Sequence, residues 1–240
     1  MAQNPTSLKT AFWLGYRDTI PFWLVVGPFG LLFGAVATEA GLNIIQTMVM
    51  TVLVVAGAAQ FTALTLMGEN APTLIILAAS LAVNLRMAMY SAALAPHLGR
   101  EPLGMRVLYA YFMVDQSFAI AVNKYTETPS MTPRQKGIYY MGSFLCVFPV
   151  WVGSTLTGAL IGAQIPPEYA LDFALPICFI ALSAPMMRSL PHFVAATVSM
   201  VGAVLFVNIP YSLGLLLAAF IAMMVAARTE LWLKRRHSDG

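Results

Sequence analysis

Two charges in this sequence stand where a charge is expensive. Arg86 lies deep in an apolar run, in Val83-Asn84-Leu85-Arg86, and Asp115 lies near the middle of the next run. A charge at bilayer depth needs a partner or a wet cavity. Paired, the two groups can meet the carboxylate and the ammonium of a zwitterion, or relay a proton. The same pair can instead be structural, an ion pair that sets helix register, and Arg86 alone can snorkel to the interface. The residue types leave these readings open. Gln60, in Ala56-Gly57-Ala58-Ala59-Gln60-Phe61, shares a helix face with Ala56 and Gly57. Small residues there let backbones approach, so the Gln60 amide and an exposed carbonyl can bind a zwitterion or simply join two helices. Asn84 shares a face with Met87 and Ser91 and has the same two readings. Asp18, Asp172 and Gly57 are second choices for a binding role.

Other chemistry finds no foothold. The histidines, His97, His192 and His237, have no ligand spacing, and Cys146 and Cys178 sit in apolar runs as small core residues. There is no H-E-x-x-H, G-x-G-x-x-G, P-loop or Gly-x-Ser-x-Gly pattern. No catalytic residue, metal site or cofactor is therefore expected, and the chain is not expected to be an enzyme or to hydrolyse ATP itself. Energy would come from a gradient of an ion, protons being one candidate, or of the solute.

The elements that hold these residues are membrane helices. The chain is 59% hydrophobic and only 10% charged, against about 25% charge in an average soluble domain. Charge-free stretches run from Asn43 to Met67 and from Gly137 to Pro167, and about 20 apolar residues suffice to cross a bilayer. The expected fold is an all-α polytopic membrane protein with seven or eight transmembrane helices, one membrane domain over residues 1–240. A polar N-terminus (1–19) precedes the spans (20–227), and a basic tail (228–240) follows. Eight candidate spans cover 20–38, 43–67, 73–94, 106–123, 137–163, 170–187, 191–208 and 210–227, the last two parted at Asn208-Ile209-Pro210-Tyr211. The N-terminus has no signal-peptide pattern, so insertion falls to the first span.

Lys and Arg set orientation. With Lys9 and Arg17 inside, the Lys124–Lys136 loop, Arg188 and the tail Lys234-Arg235-Arg236 also fall inside under eight spans. The segment from His97 to Arg106 then disagrees, because its two arginines would face out. A re-entrant segment at the fourth and shortest candidate removes the conflict and keeps seven spans open. Taken as antiparallel neighbours, the third and fourth spans hold Arg86 and Asp115 about 12 and 14 Å deep, at 1.5 Å per residue. Breaks are expected in the first span, at Pro21 and Pro28, and in the sixth, at Pro176 and Pro185. Tyr16-x-Asp18 before Pro21 and Tyr169 with Asp172 before Pro176 hint at a weak inverted repeat. Gly30-x-x-x-Gly34 and Gly158-x-x-x-Gly162 read as helix-packing motifs. The few polar residues in the spans argue against a passive channel or pore, which remains the alternative to a carrier. A scaffold subunit and an intramembrane enzyme are further alternatives.

Taken in order, these segments resemble the AzlC family of branched-chain amino-acid exporters, from about Ala11 to Arg228. The likeness rests on Pro21 with Gly27-Pro28-Phe29-Gly30 and Phe33-Gly34, then Ala56-Gly57-Ala58-Ala59-Gln60-Phe61. It continues through Asn84-Leu85-Arg86, Tyr90-Ser91, Asp115 with Ser117-Phe118, and Leu171-Asp172-Phe173-Ala174 with Pro176 and Phe179. The resemblance implies export of valine, leucine or isoleucine, a small hydrophobic AzlD-type partner subunit, and the cytoplasmic membrane of a prokaryote. Two positions depart from the family pattern: Met87 where a His often follows Asn-Leu-Arg, and Gln116 where an acid often follows the Asp. The coupling ion is thereby left open.

Overall fold

A computed structural model describes residues 7–162, 187, 189–209 and 213–238. Every regular element among them is helical: α1 Leu8–Thr19, α2 Trp23–Glu39, α3 Ile44–Val54, α4 Gly57–Gly68, α5 Thr73–Leu98, α6 Leu103–Tyr111, α7 Asp115–Glu127, α8 Pro133–Gly162, α9 Leu190–Leu205 and α10 Leu213–Ser238. Among the described residues, four stretches are long and apolar enough to cross a membrane: Leu8–Glu39, Thr73–Leu98, Pro133–Gly162 and Leu213–Leu233. The chain forms two compact units, Met1–Leu64 with Ser80–Tyr169, and Thr65–Ala79 with Ala170–Gly240.

In the second unit α9 packs along α10. Gly202 makes room for Ala218 there, and Leu66, Ala71 and Ala79 form a small apolar cluster of their own. The expected interruption near Asn208 is present, since α9 stops at Leu205 and α10 starts at Leu213.

The first unit is built on α8. Ser7 caps α1 by accepting the Thr10 amide, so the first helix begins well before residue 20. A single 3-10 turn, Ile20–Phe22, joins α1 to α2. Pro21 falls in that turn and Pro28 inside a continuous α2, so neither proline opens a gap of the kind expected here. Glycines then bring α1 and α2 onto α8. A methyl on Gly15 would strike the Tyr139 carbonyl, one on Gly34 the Thr155 carbonyl, and one on Gly158 the Leu31 carbonyl, while Gly162 faces Ala35. Both Gly-x-x-x-Gly motifs thus serve packing, one against the other, with helix backbones nearly touching. The contacts ascend both helices in the same order, so α1–α2 and α8 run parallel. Their N-terminal ends share one side of the unit with Lys9, Arg17 and Arg134, which we call the basic side. Trp23 adds an indole N–H donated to the Cys146 carbonyl at 3.1 Å, and Cys146 is buried beside it, in keeping with a core role. Cys178 lies outside the described residues.

Between these crossings the chain makes two re-entrant hairpins, one from each side. A tight turn at the end of α2 sends α3 back down, and α3 stops at Val54. Gly57, the first residue of α4, abuts Phe29 and Trp151, and Phe61 stacks near Phe29 and Phe33, at 4.9 and 5.4 Å between centroids. α4 therefore ascends with α2, towards the end from which α3 came. The Gln60 amide reaches the Met50 carbonyl at 3.1 Å, a contact that a straight helix of ten more residues, about 15 Å long, does not allow.

The second hairpin is α6–α7. Arg86 meets Asp115, Tyr90 stacks on Phe118 at 3.9 Å, and His97 lies 5.1 Å from the Tyr125 ring. These three pairs climb α5 and α7 in the same order, so the two helices are parallel, not antiparallel as the sequence reading took them to be. α6 must then run the other way between them. His97 also meets Lys136 at 3.1 Å, at the start of α8, so α5 ends on the basic side. The α6–α7 hairpin dips in from that side, with its tip at Phe112–Val114. This removes the conflict over Arg100 and Arg106, because their loop shares a side with the Lys124–Lys136 loop. Of the two segments read as the second and fourth spans, the sequence anticipated a re-entrant path only for the fourth.

The order is span, hairpin, span, hairpin: α1–α2 with α3–α4, then α5 with α6–α7. In each pair the hairpin re-enters from the side on which the span ended. The two pairs run in opposite directions, which is an inverted-topology arrangement. It lies in a different part of the chain from the repeat suggested by Tyr16 and Tyr169, whose second half falls outside the described residues.

Candidate functional site

Arg86 projects from the middle of α5 because its face of that helix turns towards α7. Asp115 is the first residue of α7, set directly after the tip of its hairpin. They form an ion pair, Arg86 Nη2 to Asp115 Oδ2, at 3.2 Å. The pair is not sealed: the side chains are 30% and 42% exposed in the subunit. It is also not saturated. Arg86 Nε and Asp115 Oδ1 are buried atoms without a hydrogen-bond partner, so each ion keeps one inward-facing group for a ligand. The phenol of Tyr90 bears on the same carboxylate. As the residue that opens α7, Asp115 also lies where the helix dipole favours an anion.

Asn84 lies on a different face of α5, one turn beyond Ser80, whose hydroxyl donates to the Ala59 carbonyl of α4 at 3.4 Å. The Asn84 Oδ1 atom is buried and without a partner. The α5 helix therefore turns Ser80 towards one hairpin and Arg86 with Tyr90 towards the other. The hairpin tips themselves touch: the Tyr111 hydroxyl, at the end of α6, donates to the Val52 carbonyl at the end of α3, at 2.5 Å. Both tips thus reach a common level within the unit.

Gln60 is fully buried in the first turns of α4, with its amide nitrogen on Met50 and its Oε1 without a partner. Gly57 opens α4 with no side chain, which admits the Phe29 ring and the Trp151 edge. Asp18 is engaged at the α1–α8 contact, where its carboxylate accepts the Tyr139 hydroxyl at 2.8 Å. Asp172 lies outside the described residues. The fold thus brings Arg86 and Asp115 together, sets Asn84 on a different face of α5, and keeps Gln60 at the other tip. Sequence reasoning missed Tyr111, Ser80 and Thr51, because a Tyr, a Ser or a Thr in an apolar run is common and its partner is remote in sequence.

A cavity of about 90 Å³ lies between the second half of α5 and α6, lined by Ser91, Leu94, Leu98, Arg106, Tyr109 and Met113 among others. Ser91 lies beyond Arg86 on α5, about 7.5 Å along the axis, and Met113 is in the tip that leads to Asp115. The walls are mainly apolar with one cation, Arg106, and neither Arg86 nor Asp115 lines them. Among the described residues no group of three or more His, Cys, Asp or Glu side chains can hold a metal.

The family model for "AzlC protein" matches residues 21–165, more than half of the chain. The chain belongs to the AzlC family. Arg86, Asp115, Asn84, Gln60 and Gly57 all lie within the matched stretch, as do both hairpins; Asp18 and Asp172 lie outside it. Among its relatives is the inner membrane protein YgaZ of Escherichia coli K12, 25% identical over 207 residues, covering 83% of this chain and 82% of that one. A membrane protein of Archaeoglobus fulgidus, described as uncharacterized, is 26% identical over 186 residues, covering 76% and 78%. One from Helicobacter pylori 26695, described likewise, is 24% identical over 217 residues, covering 90% and 93%. No solved structure matches. This AzlC chain is a multi-pass membrane protein of a family linked to branched-chain amino-acid transport.

Proposed function

We propose that this AzlC protein is a secondary transporter that exports hydrophobic, branched-chain amino acids across the cytoplasmic membrane of a prokaryote. It acts together with a small AzlD-type membrane subunit. The reading rests on one observation: an open, unsaturated Arg86–Asp115 pair at the tip of a re-entrant hairpin. A zwitterion can divide such a pair. Its carboxylate takes the Arg86 guanidinium in place of Asp115, and its ammonium takes the Asp115 carboxylate. Charge stays balanced throughout, so the exchange costs little desolvation beyond that already spent.

The two hairpins, entering from opposite sides and meeting at Tyr111 and Val52, are the parts expected to part alternately, as in carriers built from inverted repeats. The basic side is assigned to the cytoplasm, and the C-terminal tail with it. Transport draws on an ion gradient or on the solute's own gradient. The reading is that of a carrier rather than an enzyme, and nucleic acid plays no part.

The test is radiolabelled leucine export from vesicles that contain the chain and its small partner. Arg86→Ala and Asp115→Asn should each lower export to background while the protein still inserts and assembles. Export at the wild-type rate by Arg86→Ala would overturn the site. Flux that does not saturate and shows no counterflow would favour a pore instead.

A further inference from the structure

We propose that the tip of the α3–α4 hairpin is a binding site for a small monovalent cation such as sodium, separate from the Arg86–Asp115 pair. It goes beyond the transport reading, since that reading leaves the coupling ion open.

α3 ends at Val54, and Val55 directly after it has φ 25° and ψ 40°. This left-handed conformation is costly for a β-branched residue, and neither proline nor glycine stands there to explain it. The last carbonyls of α3 lose their intrahelical partners at such an end. Two partners from elsewhere converge on this turn: the Gln60 amide nitrogen on Met50 O and the Tyr111 hydroxyl on Val52 O. The first fixes which way the Gln60 amide points, because only its NH₂ can donate to a carbonyl. The Gln60 oxygen is left over, buried and without a partner.

Thr51 supplies the second oxygen. It lies in the same last turn, is fully buried, and its hydroxyl has no partner. The Thr128 and Thr155 hydroxyls share that state, while other helix threonines bond back along the chain. Thr47, one turn earlier, donates to the Asn43 carbonyl, and Thr19, Thr62 and Thr126 donate to the carbonyl four residues back in the same way. The Thr51 hydroxyl forgoes that bond. Two orphaned oxygens thus sit at one broken helix end, where a buried polar atom costs about 1–3 kcal/mol if left unserved.

The chemistry of the set selects its ligand. An amide oxygen, a hydroxyl and helix-end carbonyls are hard, neutral donors, and a helix C-terminus carries partial negative charge. Divalent cations are held with carboxylates, which neither Thr51 nor Gln60 supplies. A monovalent cation suits neutral oxygens, and unwound carbonyls at half-helix ends hold such ions in membrane carriers.

The experiment uses the full chain in lipid nanodiscs and reads its thermal unfolding in sodium chloride against choline chloride at constant ionic strength. Sodium should raise Tm saturably, by roughly 5 °C at full occupancy. The rise should vanish in Thr51→Val, which keeps the side-chain shape, and in Gln60→Met, and it should persist in Arg86→Ala. Superimposed sodium and choline curves for the wild type would overturn the proposal, leaving buried water to serve the oxygens. So would a sodium response that survives both tip variants. A rise seen with leucine alone, abolished by Thr51→Val, would overturn it too, since the cation would then be the amino acid's ammonium. Loss of leucine transport does not enter this measurement, so the two readings can fail separately.

Discussion

Replacing Arg86 by alanine separates the two things an ion pair can do. A pair held for stability alone should cost stability when it is broken. This pair is 30% and 42% exposed in the subunit, and partly exposed pairs contribute at most about 1 kcal/mol. Arg86→Ala should therefore shift Tm by no more than a few degrees, measured by thermal unfolding, while leucine export is lost. A large Tm loss would instead favour the structural role. Removing a hydroxyl at the hairpin tip has the opposite profile. Tyr111→Phe deletes the bond to Val52 and leaves that carbonyl at the end of α3 without its donor. It should lower stability by about 1 kcal/mol, read as a fall in Tm, without touching the ion pair.

Among the helices, the parallel contact of α1–α2 with α8 is the firmest join in the first unit, and glycine makes it possible. Gly34 faces the Thr155 carbonyl and the Ala159 backbone, which cannot yield as a flexible side chain can. Gly153, on the same α8, has open space where a methyl would go. Gly34→Ala should thus destabilise strongly, by about 2 kcal/mol or more through overpacking. Gly153→Ala should be neutral or stabilise by about 0.5–1 kcal/mol through helix propensity. Melting temperatures of the two variants side by side check the contrast. Equal effects would mean that the helices are not in contact where Gly34 sits. The hairpins follow a different rule. Each is two short helices, and what holds them is packing against neighbours: Phe61 among Phe29 and Phe33 for one, Tyr90 on Phe118 for the other.

At the level of the molecule, the question is which loops share a side. A hairpin at α6–α7 puts the loop after α5 on the same side as the loop after α7; a crossing would put them on opposite sides. Cysteines introduced at Arg100 and Ser130, in a background without Cys146 and Cys178, should both react with a membrane-impermeant thiol reagent from the cytoplasmic face. A cysteine at Ala40, at the far end of α2, should react only from the other face. Opposite labelling of positions 100 and 130 would show that α6–α7 crosses the bilayer. The same geometry gives meaning to the order span, hairpin, span, hairpin. The two span–hairpin pairs of the first unit run in opposite directions and touch at Tyr111 and Val52.

Much of this was legible in the residues alone. Long charge-free runs demand lipid, so the polytopic all-α class follows from composition. A charge in such a run needs a partner, so Arg86 and Asp115 were visible as a pair before any coordinate. The two glycine motifs announced close helix packing, and the misplaced arginines at 100 and 106 already pointed to a segment that does not cross. What the sequence did not carry is direction. An apolar segment of about 20 residues looks the same whether it crosses or turns back, because hydropathy has no sign along the chain. The break at Val55 left no trace either: Gln60 and Tyr111 donate to the Met50 and Val52 carbonyls just before it, contacts that only the tertiary structure brings together. In the first span the prolines drew the expected break to the wrong place, since one missing N–H is cheap within a packed helix and a hairpin needs no proline at all. That α5 and α7 run parallel, with the ion pair at the hairpin tip, is likewise a property of the folded chain.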